Sequence, residues 1–488
     1  MPPPARGCFA FSLLAWLAWT AVPAQAAALS PDDARHLLAR AAYGPAPGEL
    51  AALQAQGLDA WLAAQLSPAA GEPPALQARL DTLDTLALTP LERARRFRAP
   101  LKAAKRERQA APEALREARQ AERELLHQAQ AARLWRAVGS PHQLREVMVE
   151  FWADHFNVYA RKRTVGAMLG DLEERVLRPQ ALGRFRALLG AVARHPAMLD
   201  YLDNWRNSRP TGQGGRFGGL NENYARELLE LHTLGVQGGY TQTDVGALAT
   251  VLTGWGLPRG WPDPKGPDVD ASGFRFDPRR HVPGDKRVLG TRIPGGGVDE
   301  GERVLDMLAA HPATAHFLAR KLAQRFVGDA PPEPLVTAVA EAFSRSGGRL
   351  DATLHALLRH PGFWAREARG TRFKTPYRLV VSTHRALGQL PEDAGPSLRA
   401  LERLGQPLHG RVTPDGWPVT RAAWLNPDAM ARRVGLAAAS ARGAQASPEA
   451  VRETLGEPFG TTTLAAVAAA PAGLRVALLL GAPEFQQH

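Results

Sequence analysis

The sequence predicts a mainly α-helical protein with one small β-hairpin carried in a long Pro/Gly-rich loop. Three observations lead there. Apolar residues recur at helical spacing through most of the chain, several of these stretches open with capping signals, and strand-like alternation is confined to 273–276 (GFRF) and 286–293. The first helix, 29–40, begins with Ser30-Pro31-Asp32-Asp33, an N-cap residue followed by proline at the first helical position and acids in the first turn. The Ala/Glu/Arg/Gln-rich stretch 113–137 carries acid–base pairs at helical spacing, such as Glu113 and Arg116. Further helices are expected at 142–159, 172–176, 183–193, 221–234, 299–310, 314–327, 334–344, 351–359 and 376–387. The Pro/Gly-rich connection 254–297 is long enough that it should carry function or a hairpin of its own.

The 488 residues are 45% hydrophobic and 22% charged, which excludes a disordered chain, a collagen-like repeat and a polytopic membrane protein. The single cysteine, Cys8, excludes a CxxC redox pair, a Cys-ligated zinc, an iron–sulfur cluster and a CxxCH haem site. Arg6, the apolar run Cys8 to Val22 and the Ala24-Gln25-Ala26 box read as a cleaved signal peptide over 1–26. Cys8 precedes the apolar run, so a lipoprotein is not expected. The protein should be exported, periplasmic or secreted, without a transmembrane anchor and without disulfides. After the signal the expected organisation is an N-terminal helical segment 27–140, a helical core 141–440 and a C-terminal helical segment 441–488.

The formal net charge is +12, carried by 7 lysines and 53 arginines against 48 acids, a bias that codon usage produces without a selected ligand. The excess is local: 93–108 holds eight basic residues and the single acid Glu107. For an exported protein this arm points to an anionic polysaccharide, a membrane surface or an acidic protein, and compartment argues against nucleic acid. A solvated helical arm is the simpler alternative.

A weak repeat occurs at 188–201 (LLGAVARHPAMLDY), 305–317 (LDMLAAHPATAHF) and 354–364 (LHALLRHPGFW), with a fourth copy, 477–485, lacking the histidine. Proline should end one helix and start the next, which makes His195, His311 and His360 corner residues before catalytic ones. The densest chemistry lies at 212–256. A glycine-rich loop with Arg216 leads into Asn221 and the stretch NENYARELLELH, an arrangement suited to anions although it is neither GxGxxG nor a Walker loop. At about 100° per residue, Asn223, Arg226, Glu227 and Glu230 share one arc and His232 falls on the apolar side. A chelate by Glu227, Glu230 and His232 from a single helix is therefore excluded. The stripe is either a solvated face or a buried carboxylate pair held by Arg226. The second form suits acid–base work or a divalent cation, and in it loss of Arg226 would destabilise the fold. His155, on the apolar face of 146–159, should lie within one side chain's reach of this helix. Trp255, Trp261 and Trp417, each after a glycine, are candidates for stacking on sugar.

FWADHFNVY, HPAMLDYLDN, GLNENYARELLELHTLGV, GGYTQTDV, LTGW, HPATAHFLARKL and LGQPLHGRVTPDGWP together resemble the bacterial exported family known as domain of unknown function 1800. The likeness runs from about residue 29 to the C-terminus, with HLLARAAYGPAPGEL matching the family's opening. It implies no established activity. It does imply, as a partner, an exported sulfatase/alkaline-phosphatase-like protein encoded nearby. Where the family tends towards His-Asp-x-Gly-x-Lys, this chain reads His281-Val282-Pro283-Gly284-Asp285-Lys286. Two functions are expected. One is a hydrolase or transferase acting on an anionic envelope polymer or a sulfated or phosphorylated substrate. In it Glu227 and Glu230 supply acid–base groups or metal ligands, His155 or His232 moves protons, and Arg216, Asn221, Asn223, Arg226 and Trp255 bind substrate. The other is a non-catalytic scaffold for the phosphatase-like partner. No GxSxG elbow or HExxH helix is present.

Overall fold

The computed structural model describes residues 29–67, 71–106, 112–210, 219–258, 260–261 and 271–488. The signal segment, the glycine-rich 211–218 with Arg216, and the end of the basic arm lie outside them.

Local signals set most of the helices. Ser30 accepts the Asp33 amide at 3.1 Å and Pro31 opens the first helix, Pro31–Ala41. Thr89 and Glu92 form a reciprocal capping box, and so do Thr241 and Asp244. The three histidine–proline corners share one geometry: His195, His311 and His360 have φ near −68° and ψ of 134° to 136°. In each, the ring Nδ1 accepts the amide two residues on, at 3.2, 3.1 and 3.0 Å, so the histidine is an N-cap. His195 donates its other ring nitrogen to Asp171 at 3.1 Å. In the fourth copy Ala482 turns the same corner without a side-chain cap.

The protein is mainly α-helical. Its strands form two antiparallel pairs among the described residues: Trp255–Gly256 with Arg275–Phe276, and Lys286–Val288 with Thr291–Ile293. The second pair is a tight hairpin with Leu289 (φ 49°) and Gly290 (φ 73°) at its turn, the two positive φ values that a two-residue hairpin wants. Both pairs lie in the long 254–297 connection. Helices absent from the sequence expectation include Glu49–Leu66, Gln242–Val251, Gly395–Arg403 and Pro427–Arg442.

One apolar core extends from Ala34 to Leu408, and a second joins Leu379, Ala386 and Leu387 to residues between Ala437 and Phe485. The Gln143–His155 helix runs through the first core, with Leu144, Val147, Met148, Phe151 and Trp152 all buried. The basic arm is only partly a solvated face. Arg93 is fully buried and donates to the carbonyls of Leu88 (2.9 Å) and Thr85 (2.5 Å), and Arg98 pairs with Glu122. No described helix is long and apolar enough to cross a membrane.

Candidate functional site

Glu146, Glu150 and Asp154 stand four residues apart on the central helix and therefore share one face of it. The first two are buried and matched by arginines from elsewhere. Glu146 accepts Arg178 at 2.6 Å, and Glu150 pairs with Arg325. Burial pushes both carboxyls up, but the arginines outweigh it and hold them below the usual range. A parallel pair, Arg133 and Glu173 at 3.0 Å, lies beside them with His409 at 3.3 Å from Glu173. Among the described residues no arginine makes an ion pair with Asp154. Burial first, and the neighbouring Glu150 second, raise its carboxyl to about 7, with Arg133, Arg325 and Lys321 only partly offsetting.

Asp154 opens onto a cavity of about 210 Å³. The central helix contributes Phe151 and His155, the Pro312–Phe326 helix contributes Lys321, and the 411–419 loop contributes Asp415 and Trp417. The loop is tied to the end of the central helix by Asn157, whose amide donates to the carbonyls of Arg411 (3.1 Å) and Thr413 (2.8 Å). Gly416 permits the closest approach. It has φ of 77°, and a Cβ there would sit 2.3 Å from the Asp154 carbonyl oxygen. Burial lowers Lys321 to about 8, against the attraction of Asp154 and Asp415. Asp415 is held below the usual carboxylate range, because hydrogen bonds from Arg411 (2.7 Å) and Thr413 (2.5 Å) outweigh its partial burial. The cavity thus has one carboxyl raised to neutrality, one kept ionised, and an amine lowered towards neutrality.

His155 meets the NENYAREL helix as expected: its Nε2 lies 3.2 Å from the His232 carbonyl oxygen, and its Nδ1 is 3.1 Å from Lys321 Nζ. A single tautomer satisfies both contacts, with Nε2 donating and Nδ1 accepting from Lys321. Both ring nitrogens are engaged, so His155 anchors the lysine. His232 is buried on the apolar side, lowered to about 3 by burial and then by Lys321, and its Nε2 has no described partner. The helix carrying His232 widens from a normal turn over Asn223–Glu227 to a π-helical one over Leu228–His232.

The polar stripe of that helix is neither fully buried nor fully solvated. Arg226 reaches Glu222 at 3.3 Å and Glu230 at 3.6 Å, with side-chain exposures of 38%, 39% and 25% for Arg226, Glu222 and Glu230. The expected buried carboxylate pair held by Arg226 is therefore corrected to a half-exposed network. Glu227 is half-buried, and its carboxyl is raised by burial and then by Glu230, against Arg226. Asn221 and Asn223 are taken up locally. The Asn221 amide group accepts the Asn223 N–H at 3.0 Å, and Asn223 donates to the Leu202 carbonyl at 3.1 Å. Trp255 is corrected as a stacking residue. It is fully buried, edge-on to Phe274, and so close to Gly301 that a Cβ there would lie 2.2 Å from its ring. Trp261 and Trp417 are partly exposed.

Among the described residues, no three His, Cys, Asp or Glu side chains come together as a metal site. The departing motif folds into a buried cluster. His281 and Lys286 contact the two oxygens of Glu300 at 2.9 and 2.7 Å, while Asp285 points outward to Arg292 at 2.5 Å. The residues that sequence reasoning passed over are Asp154, Lys321 and Asp415. Each lies in a stretch that carries the family resemblance, and the cavity is where FWADHFNVY, HPATAHFLARKL and VTPDGWP converge.

The chain belongs to the family described as protein of unknown function DUF1800, matched over residues 36–487. No curated protein and no solved structure matched it.

Proposed function

We propose that the protein is an exported hydrolase or transferase acting on an anionic envelope polymer, with its chemistry in the Asp154–Lys321–Asp415 cavity. One observation carries the reading: two carboxyls on the same cavity are shifted in opposite directions, Asp154 up to about 7 and Asp415 down. Opposed shifts of this kind separate a proton donor from a permanently ionised partner. Asp154 would donate its proton to a leaving oxygen, and Asp415 would stay charged to activate water or steady a developing cation. Lys321 would meet an acidic group of the polymer, and the partly exposed Trp417 would offer a face to a sugar ring. His155 positions Lys321 through their 3.1 Å contact.

The test is release of new chain ends from purified anionic envelope polysaccharide. The wild-type protein should release them, and Asp154→Asn and Asp415→Asn should each reduce the rate by roughly 10²-fold or more. Equal rates in all three proteins would overturn the assignment.

A second reading, a docking subunit for an exported sulfatase/phosphatase-like partner, draws on the half-exposed Arg226/Glu222/Glu230 network. Loss of partner capture in Glu230→Gln, with both cavity variants still binding, would favour that reading.

A further inference from the structure

A second cavity, about 350 Å³, lies between the Pro31–Ala41 helix, the segment around 369–374 and the last residues of the chain. That volume is in the range of ligand pockets, roughly 300–1,000 Å³. Its wall is divided, with Lys374 and Arg369 among the polar groups and Leu455, Pro458 and Phe485 among the apolar ones.

Lys374 lines this wall, and four buried arginines stand behind it: Arg40, Arg372 and Arg378 around the wall residue His488, and Arg433 on the Lys374 carbonyl. None of them makes an ion pair with a described carboxylate; the guanidinium groups are held by main-chain carbonyls and by the neutral side chains of Thr371, Gln486 and His488. Arg378 donates to Ala42 at 2.9 Å, Arg433 to Lys374 at 2.8 Å and Arg372 to Val419 at 2.7 Å. Two nitrogens of Arg40 and two of Arg372 have no described partner. Lys374 is only 7% exposed, and its ammonium lies 3.7 Å from the centre of the Phe485 ring without a hydrogen-bond acceptor. Glu150 and Asp329 act on the arginines only from a distance, Glu150 being paired with Arg325, and the acids at the cavity itself are engaged elsewhere. Asp32 pairs with Arg35 and Asp33 with Arg369, both at 2.6 Å, while Glu484 accepts Gly460 N at 2.9 Å.

Buried charge of one sign is costly unless an opposite charge joins it. Burial, with neighbouring cations, brings Arg378 down to about 9 against the attraction of Glu150, and Arg372 to about 10 against Asp329 and Glu150; burial alone brings Arg433 to about 10. Lys374 is lowered too, by burial and then by Arg378 and Arg433. We propose that this cavity binds a small organic acid, its carboxylate against Lys374 in the field of the four arginines and its apolar body against Leu455 and Pro458. The site is separate from the Asp154 cavity and does not depend on the function proposed for it.

Octanoate is the probe, read by thermal melting and by titration calorimetry on the full chain. Octanoate should raise the wild-type Tm to a saturating limit and give a measurable binding heat, whereas octanol, with the same body and no charge, should do neither. Lys374→Met should fold and melt at least as high as wild type without ligand, because it removes an unpaired buried charge, and it should lose the octanoate shift. Lys374→Gln provides the same readout should the methionine variant misfold. The proposal is overturned if wild type shows no octanoate shift, if the shift survives both substitutions, or if inorganic phosphate matches octanoate.

Discussion

The central-helix ladder and the C-terminal cationic pocket both bury charge, on opposite plans. Along the ladder each acid is set against a base from another helix, and only at its open end, at Asp154, does the matching become incomplete. Around Lys374 no buried cation makes an ion pair with a described acid; Glu150 and Asp329 act on Arg372, Arg378 and Arg40 only from a distance. The difference separates two uses of buried charge. Opposed charges with one deliberate gap leave a carboxyl that titrates near neutrality, a property suited to moving protons. Like charges crowded together with acids only at a distance leave a field that favours an incoming anion.

The comparison breaks first at Glu150. If compensation holds the ladder together, Glu150→Gln leaves Arg325 buried and alone and should cost about 3–5 kcal/mol in urea or thermal melts. A loss below about 1 kcal/mol would put the ladder on the same footing as the Lys374 cluster. A smaller effect is expected at Asp154. Its folded-state pKa is raised from 3.8 to about 7, so its contribution to stability is lost as pH rises through that interval. Asp154→Asn should melt higher than wild type at pH 8, by on the order of 1–3 kcal/mol, with the gap closing towards pH 4. A gap independent of pH would mean that the Asp154 carboxyl titrates alike in the folded and unfolded chain. The smallest effect belongs to the exposed network: Arg226→Ala should change stability by no more than about 0.5 kcal/mol. A loss of several kcal/mol in chemical denaturation would show that the stripe behaves as a third buried cluster.

The parts of the fold that were legible in the sequence are those written locally. The Ser30-Pro31 start, the histidine–proline corners and the hairpin at 286–293 each need only neighbouring residues to specify them. The exclusion of a chelate by Glu227, Glu230 and His232 rested on helical periodicity, and the structure puts His232 in the core while the two glutamates keep partial exposure. Helices such as Pro427–Arg442, rich in alanine and arginine, lack a strong apolar stripe, so helical periodicity does not mark them. The acidic ladder is visible as Glu146, Glu150 and Asp154 at spacing four, but its meaning depends on Arg178, Arg325 and Lys321, which arrive from other helices. Trp255 shows the limit of reading exposure from a preceding glycine: what closes over its ring is Gly301, on a helix that follows the long connection.

The tie between Asn157 and Thr413 spans 256 residues of chain. Closing a loop of that length carries an entropic cost that grows only slowly with chain length and falls once nearer contacts have drawn its ends together. A chain made only as far as the Pro312–Phe326 helix would hold Asp154 and Lys321 while lacking Asp415 and Trp417. The cavity is therefore completed only once the chain has been made beyond Trp417, so any activity housed there requires nearly the whole length of the polypeptide.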